Sequence, residues 1–157
     1  MSIDILLEKI VSGGQSGADV AALNWAIAYG LPHGGWCPKG RKCESGTIDL
    51  KYQLLEMPTS GYLARTEKNV VDSDATIIFT LTEKLTGGSL KTEVFAKTHR
   101  KPSFHFRPGV DPKFINSFVK RNQVRILNVA GSRASKEEGI ELLVMNALSM
   151  AFPEWKR

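Results

Sequence analysis

Three glycine-rich stretches of the chain combine residue types that bind anions. They read SGGQSGAD (12–19), LTGGSLKTE (85–93) and VAGSRASKE (129–137). Each follows an apolar run typical of a buried strand and precedes a pattern typical of a helix. Glycine at such a junction lets the backbone approach a ligand closely, and the free N–H groups of a helix start favour negative charge. The chemistry they indicate is the binding of a phosphate or another oxyanion.

The first stretch alone is open to a second interpretation. Ser16 would cap the helix, and Asp19, three residues later, would complete a capping box. Neither the Walker pattern nor GxGxxG is present. In a parallel sheet, however, all three junctions open on one edge, and their small residues would line one crevice at a topological switch point. That arrangement is favoured over the alternative that α/β junctions simply need small residues. The crevice residues are Gly13, Gly14, Gly87, Gly88, Gly131 and Ser132.

Five cationic side chains are candidates for the same pocket. Arg65 stands near a helix start and Arg133 directly follows the third turn, so either could grip an oxyanion through its planar fork of donors. Lys39, Arg41 and Lys42 lie in the long glycine-rich segment 30–46. For these three the alternative is a solvated charge run, and it is preferred for Lys42.

Catalytic and metal-binding residue types are less informative. Glu93 is a candidate general base or ribose ligand, although a structural role in its helix is narrowly favoured. The three histidines show no metal-ligand spacing, so a zinc site is not expected. The two cysteines, Cys37 and Cys43, are interpreted as reduced thiols, with Cys37 alone kept as a candidate ligand of a soft metal.

Apolar runs alternate with helical patterns, which predicts a parallel, doubly wound α/β sheet flanked by helices. Strands are expected at 9–13, 75–80, 102–106 and 124–130, with one further strand near 33–37 that would bring the sheet to five or six. Helices are expected at about Gly17–Tyr29, Leu63–Asp72, Leu90–Arg100, Pro112–Arg121 and Lys136–Ala151.

Length and composition narrow the class of protein. The 157 residues with 42% hydrophobic content predict one domain spanning 1–157. No apolar run approaches a membrane span and Met1–Glu8 lacks a basic start, so we expect a cytoplasmic protein without a membrane contact. The net charge of +5 is scattered, which favours a small anionic ligand over nucleic acid. The apolar stretch 141–152 suits either a homodimer contact or the covering of the sheet, and the second is preferred.

Several segments in order, SGGQSGAD, GGWCPKGR, YLARTEKNVVDSDATIIF, TGGSLKTEVFAKTHRKP and LNVAGSRAS, resemble the molybdenum carrier family, which is also described as circularly permuted YpsA-like. The resemblance covers about Ile10 to Ala151. It implies a three-layer Rossmann-like fold of the group that includes YpsA, DprA and the LOG nucleotide hydrolases, and a ligand that is molybdenum cofactor, molybdate or a nucleotide.

The family motifs extend the set of expected ligand-binding residues beyond the three turns. Carried over and joined to the turn residues, that set comprises Gly13, Gly14, Gln15, Ser16, Asp19, Gly35, Trp36, Lys39, Arg41, Arg65, Thr66, Asn69, Gly87, Gly88, Ser89, Thr92, Gly131, Ser132 and Arg133. Cys37, Pro38 and Gly40 complete the second motif.

Two classes of function follow from the resemblance. A carrier would hold its ligand without converting it and needs only donors. A hydrolase resembling the LOG enzymes would cleave the base–ribose bond of a nucleotide. TGGSLKTEVF keeps the double glycine and Glu93 but shifts the spacing of that motif, which weakens the enzyme reading. A sensor of a nucleotide messenger would use the same pocket.

Overall fold

Strands and helices alternate along the chain over the part that the computed structural model describes, residues 7–153. The elements are β1 (Lys9–Val11), α1 (Ala18–Ala28), β2 (His33–Gly34), β3 (Trp36–Cys37), a 3₁₀ turn (Lys39–Arg41), β4 (Lys42–Cys43), β5 (Gly46–Thr47), β6 (Leu55–Glu56), α2 (Tyr62–Val71), β7 (Ala75–Phe79), α3 (Gly87–Thr98), β8 (Ser103–Phe106), α4 (Lys113–Arg121), β9 (Ile126–Gly131) and α5 (Ile140–Ala151).

Five of the strands form one parallel sheet in the order β2-β1-β9-β7-β8. From β1 the chain continues to β2 at one edge of the sheet, and from β7 it continues to β8 at the other edge. The last strand, β9, lies between β1 and β7. In the register, Val11 pairs with Asn128 and Phe79 pairs with Gly131. Because successive strands are added in opposite directions from β1 and from β7, the strand order reverses at the centre of the sheet. Open α/β sheets bind ligands at such a switch point.

Helices cover both faces of the sheet and make three layers. Helix α1 packs against α5, which also contacts α4, while α2 packs against α3 beside β7 and β9. The main core lies under α1, α4 and α5, with Trp25, Phe79 and Leu148 fully buried in it. The predicted α/β, Rossmann-like, mainly parallel sheet flanked by helices is confirmed.

Two helix starts differ from the sequence prediction. Helix α3 begins at Gly87 rather than Leu90, so the double glycine forms its first turn. Helix α5 begins at Ile140 rather than Lys136, because Gly139 adopts a φ of +90° and interrupts the helix. Residues 133–137 before it form a separate turn, in which the N–H groups of Lys136 and Glu137 donate to the carbonyl of Arg133.

The segment after β2 holds small elements outside the main sheet. The single strand predicted near 33–37 is two strands, because Gly35 turns the chain with a φ of +122°. Strand β3 pairs in parallel with β6, and β4 and β5 form an antiparallel hairpin. Cys37 lies in a second, smaller core with Leu23, Ile48, Tyr52 and Leu54.

Within residues 7–153, no helix is both long and apolar enough to span a bilayer. The expectation drawn from Met1–Glu8 falls mostly on residues 1–6, which lie outside the described residues.

Candidate anion-binding site

A cleft opens at the carboxyl edge of the sheet, where the starts of α1, α2 and α3 approach the end of β9. Its cavity measures about 90 Å³. The lining residues are Gln15, Asp19, Tyr62, Leu63, Arg65, Thr66, Gly88, Thr92, Ala130, Gly131 and Arg133. All three glycine-rich stretches and the second helix thus contribute to one site.

A buried ion pair forms one wall of the cleft. Nη1 of Arg65 lies 3.6 Å from Oδ2 of Asp19, and the same oxygen accepts a hydrogen bond of 3.2 Å from the backbone N–H of Gln15. Burial raises the pKa of Asp19, while the Arg65 guanidinium opposes that shift. Burial also lowers the pKa of Arg65. Burying this pair therefore costs desolvation free energy. The Asp19 carboxylate positions the Arg65 guanidinium at the cleft.

Two buried polar atoms at the cleft lack a hydrogen-bond partner among the described residues, Nε of Arg65 and Oε1 of Gln15. The amide orientation of Gln15 is fixed, because its Nε2 donates a 3.0 Å hydrogen bond to the carbonyl of Lys42. Nε of Arg65 is a hydrogen-bond donor, and Oε1 of Gln15 is an acceptor. The donor would be satisfied by an acceptor and the acceptor by a donor, so each atom calls for a different kind of partner.

Arg133 supplies the second cation of the cleft. Its guanidinium lies over the ring of Tyr62, 4.5 Å from the ring centre. Among residues 7–153, no carboxylate forms an ion pair with Arg133. Tyr62 therefore positions the guanidinium through a cation–π contact and leaves its donors available to an oxyanion.

Close approach explains two of the glycines. A Cβ on Gly13 would lie 2.0 Å from Nη1 of Arg65, so only glycine lets that guanidinium settle against the first turn. A Cβ on Gly17, whose φ is +88°, would lie 2.3 Å from the carbonyl oxygen of Ser132. Glycine at Gly17 therefore brings the first and last turns together.

The capping box of the alternative interpretation does not form. The N-cap of α1 is Gly17, and no side chain caps the helix. Asp19 accepts from Gln15 instead, and the Ser16 hydroxyl contacts the Glu44 carboxylate. The alternative interpretation of the first stretch as a capped turn is therefore wrong.

Two glutamates that lie outside the cleft lining tie its turns together. Glu44, at the tip of the β4–β5 hairpin, contacts Ser16 and accepts a 2.6 Å hydrogen bond from the hydroxyl of Ser135. Glu137 accepts a 2.8 Å hydrogen bond from the N–H of Leu81 and a further one from Ser132, which joins the turns after β7 and β9. Burial would raise the pKa of Glu137, but these hydrogen bonds outweigh it and hold the pKa below its usual value.

The expected ligand-binding residues divide into those that line the cleft and those that lie elsewhere. Gly35, Trp36 and Asn69 line a different cavity of about 320 Å³, together with Lys9 and Asp72 among others. Lys39 is exposed. Arg41 binds the backbone carbonyls of Ile48, Asp49 and Tyr52 and so fixes the long loop.

The remaining expected residues surround the cleft without lining it. Gly14 and Ser16 line a third cavity beside Cys43. Ser132 is buried and donates to Glu137. Gly87 and Ser89 belong to the first turn of α3, next to the lining residue Gly88.

Glu93 and Cys37 both lie away from the cleft lining. Glu93 sits in the second turn of α3 and pairs with Lys97, with 3.5 Å between Oε1 and Nζ. Cys37 is buried in the smaller core, and burial raises the pKa of its thiol. In residues 7–153, no group of three or more His, Cys, Asp or Glu side chains forms a metal-binding cluster.

Sequence reasoning missed three lining residues, Tyr62, Leu63 and Ala130. Leu63 and Ala130 carry no polar group, and nothing in their type marks them. Tyr62 had a usable signal, because an aromatic ring three residues before Arg65 falls on the same face of a helix.

The comparisons with known proteins agree with one family. A model of the circularly permuted YpsA SLOG family matches residues 10–152. A solved structure from Syntrophus aciditrophicus SB, named "Putative molybdenum carrier protein", is 44% identical, covers 93% of this chain and 95% of its own, and superimposes with a TM-score of 0.89. No match was found among curated proteins.

Proposed function

Since the chain belongs to the circularly permuted YpsA SLOG family, we propose that it is a carrier that binds molybdenum cofactor, molybdate or a similar anionic ligand in the cleft. The observation that carries the proposal is the meeting of Arg65 and Arg133 beside three helix starts. A molybdenum carrier name on a neighbour with 44% identity is consistent with it.

The charge of the cleft suits an oxyanion. Its lining holds two arginines against one carboxylate, Asp19, which leaves a net positive charge. Arg133 has donors free of an ion pair, and Nε of Arg65 has no partner within the described residues. Arginine forks and helix starts together favour a planar or tetrahedral oxyanion group.

The size of the cavity suits the anionic end of a ligand. A volume of about 90 Å³ is several times the roughly 10–15 Å³ of cavity that one water molecule needs. Molybdate or a phosphate group fits such a space, whereas a pterin or a nucleoside would extend beyond it. Molybdenum cofactor would be held through its phosphate or its molybdenum oxygens, as cargo.

A nucleotide is the second candidate, and Gln15 favours it. Its unpartnered Oε1 needs a donor, which molybdate lacks at neutral pH and which ribose hydroxyls and base amines supply. A carrier needs no catalytic acid. The candidate acid, Glu93, lies outside the cleft lining and forms an ion pair with Lys97, which favours a binding protein over a hydrolase.

The test is a set of thermal shifts and titrations with molybdate, tungstate, inorganic phosphate, AMP and NAD, at about a hundred times each dissociation constant. Binding at that ratio adds about 2.7 kcal/mol of stability. Arg133→Ala should abolish the shift, and Arg121→Ala, which removes an exposed charge from α4, should keep it. A shift with AMP or NAD alone would replace the carrier by a nucleotide-binding protein, and no shift with any anion would overturn the proposal.

A further inference from the structure

The β4–β5 hairpin brings a carboxylate onto donors at the edge of the cleft. The Glu44 side chain accepts hydrogen bonds from the hydroxyl of Ser16, from the hydroxyl of Ser135 at 2.6 Å and from the N–H of Ser135 at 3.3 Å. The N–H of Ala134 donates to the Ser16 hydroxyl at 3.3 Å. Donors from the first and the last glycine-rich turns thus converge on one anionic group that belongs to the chain itself.

These donors are the kind that an oxyanion ligand uses. Two hydroxyls and one backbone N–H surround the carboxylate oxygens, and Arg133, which lines the cleft, adds a favourable charge. Hydrogen bonds from Ser135 and Ser16 hold the pKa of Glu44 below its usual value, so the group is anionic at neutral pH. The carboxylate has the charge and the acceptor geometry of one face of a phosphate.

The tip of the hairpin is held less firmly than its base. At the base, Ile48 donates a 2.7 Å backbone hydrogen bond to Arg41, the Arg41 side chain binds the carbonyl of Ile48, and Cys43 packs against the smaller core. The strands of the hairpin have two residues each, and residues 44–47 at and beside its tip are exposed. Gln15, which lines the cleft, also ties the hairpin to it through the hydrogen bond to the carbonyl of Lys42. A two-stranded hairpin of this length is marginal by itself, so its position depends on such contacts.

We propose that the donors of Ser16 and Ser135 form an oxyanion subsite, for a phosphate, phosphate ester or molybdate group, and that Glu44 occupies it as an internal competitor. The ligand's anionic group and the Glu44 carboxylate exclude each other there, so the exposed tip of the hairpin, residues 44–47, moves away when the ligand enters. This inference rests on the proposed function, because it assigns a subsite directly beside the same cleft, next in the chain to the lining residues Gln15 and Arg133.

Competition of this kind lowers the apparent affinity by the fraction of molecules in which the subsite is open. Removing the competitor therefore tightens binding. For whichever of inorganic phosphate, molybdate and AMP binds the wild type, we expect Glu44→Ala to lower Kd by about three- to tenfold. Glu44→Gln, which loses the charge but can still accept a hydrogen bond, should change Kd in the same direction by less.

The matched control is Glu138→Gln, which removes one negative charge from an exposed residue of the same region. It should leave Kd within about twofold of the wild type, because long-range charge effects on an exposed site are screened by salt. Equal tightening in Glu138→Gln would assign the effect to net charge and overturn the proposal.

Hydrogen exchange of the amides in residues 42–47 gives a second readout. In the wild type we expect exchange there to speed up when the anion is added, and in Glu44→Ala to be fast already without it. An unchanged or raised Kd in both Glu44 variants, or slower exchange on binding, would overturn the proposal. Either result would show that Glu44 stabilises the bound state and does not compete with the ligand. Absence of binding to the wild type and to both variants would instead overturn the proposed function, and the subsite with it.

Discussion

The guanidinium of Arg65 and the carboxylate of Asp19 face each other at 3.6 Å, with 10% and 6% of their side chains exposed. They come from different helices, α2 and α1, and meet at the cleft. Burial dominates the pKa of both groups, so each is shifted towards its neutral form although the partner opposes the shift. The pair therefore serves to position a cation more than to stabilise the fold.

Replacing Asp19 should change how stability depends on pH. Because burial raises the pKa of Asp19 in the folded state, the folded protein retains a proton that the unfolded chain has lost. The stabilisation that protonated Asp19 gives is complete below its unfolded value of 3.8 and is lost as pH rises through the folded value. We expect the free energy of unfolding of the wild type to rise relative to Asp19→Asn as pH falls from neutral, measured by urea unfolding at several pH values. Asp111→Asn, an exposed carboxyl, controls for the loss of one charge, and a wild-type advantage that shrinks towards acid would contradict the assignment.

Gly17 and Gly88 should respond in opposite ways to alanine. At Gly17 the backbone φ is +88° and a Cβ would lie 2.3 Å from the carbonyl oxygen of Ser132, so we expect Gly17→Ala to cost at least about 2 kcal/mol. At Gly88 a Cβ meets nothing within 4 Å, and alanine in a helix gains up to about 1 kcal/mol over glycine.

Thermal unfolding measures both glycine variants. Because Gly88 lines the cleft, Gly88→Ala should also weaken anion binding while keeping or raising the melting temperature. Equal destabilisation by the two substitutions would show that the close contact at Gly17 is not what requires glycine there.

The sequence predicts the cleft because the three glycine-rich turns obey one rule: each follows a strand, and parallel strands end at the same edge. Gly88, Gly131 and Arg133 line the cleft as that rule predicts, whereas Gln15 is expected only from the family resemblance. The other four residues that the rule places in the crevice lie outside the lining: Gly13, Gly14, Gly87 and Ser132. The order of the strands does not follow from that rule. Nothing in the local pattern of Ile126–Gly131 indicates that the last strand enters between the first strand and the strand at 75–79.

Contacts between distant residues explain the rest of what the sequence could not predict. The long segment after β2 is organised by Arg41, which binds three carbonyls of residues 48–52, and by Asn69, which binds the backbone of Trp36 from α2. Both residues appear as ligand-binding positions in the sequence because their motif is shared across a family. Their observed contacts hold the backbone of this segment, and a ligand-binding role for either residue stays a prediction.

Asn69 should matter for stability. Its amide accepts a 2.8 Å hydrogen bond from the N–H of Trp36 and donates a 3.0 Å hydrogen bond to the carbonyl of Trp36. Asn69→Ala leaves two backbone groups of β3 without partners, and we expect a loss of about 2–3 kcal/mol in urea unfolding. Asn122→Ala, which removes the one hydrogen bond to the carbonyl of Phe118, is the control and should cost about 1 kcal/mol or less. Similar losses in both variants would mean that the Trp36 backbone finds other partners.

The two thiols should differ in reactivity. Cys37 is fully buried and burial raises the pKa of its thiol, whereas Cys43 is partly exposed beside Ser45. Since the thiolate is the reactive form, we expect an alkylating reagent to modify Cys43 in the folded protein and Cys37 only after unfolding. Mass spectrometry of peptides from native and denatured samples measures this. Modification of Cys37 at a rate similar to that of Cys43 in the native protein would show that the smaller core opens readily.

Tyr62 should affect binding through its ring rather than its hydroxyl. The Arg133 guanidinium lies 4.5 Å from the ring centre, and Tyr62 lines the cleft. Tyr62→Leu removes the aromatic face, and a cation–π contact of about 0.5–1 kcal/mol converts to a weakening of anion binding of about two- to fivefold. Tyr62→Phe keeps the face and should bind the anion as the wild type does. Titration of both variants with the same anion, after thermal unfolding has shown that they fold, separates the two roles. Equal weakening by Phe and Leu would assign the effect to the hydroxyl. No weakening by Leu would mean that Arg133 does not need the ring to hold its position.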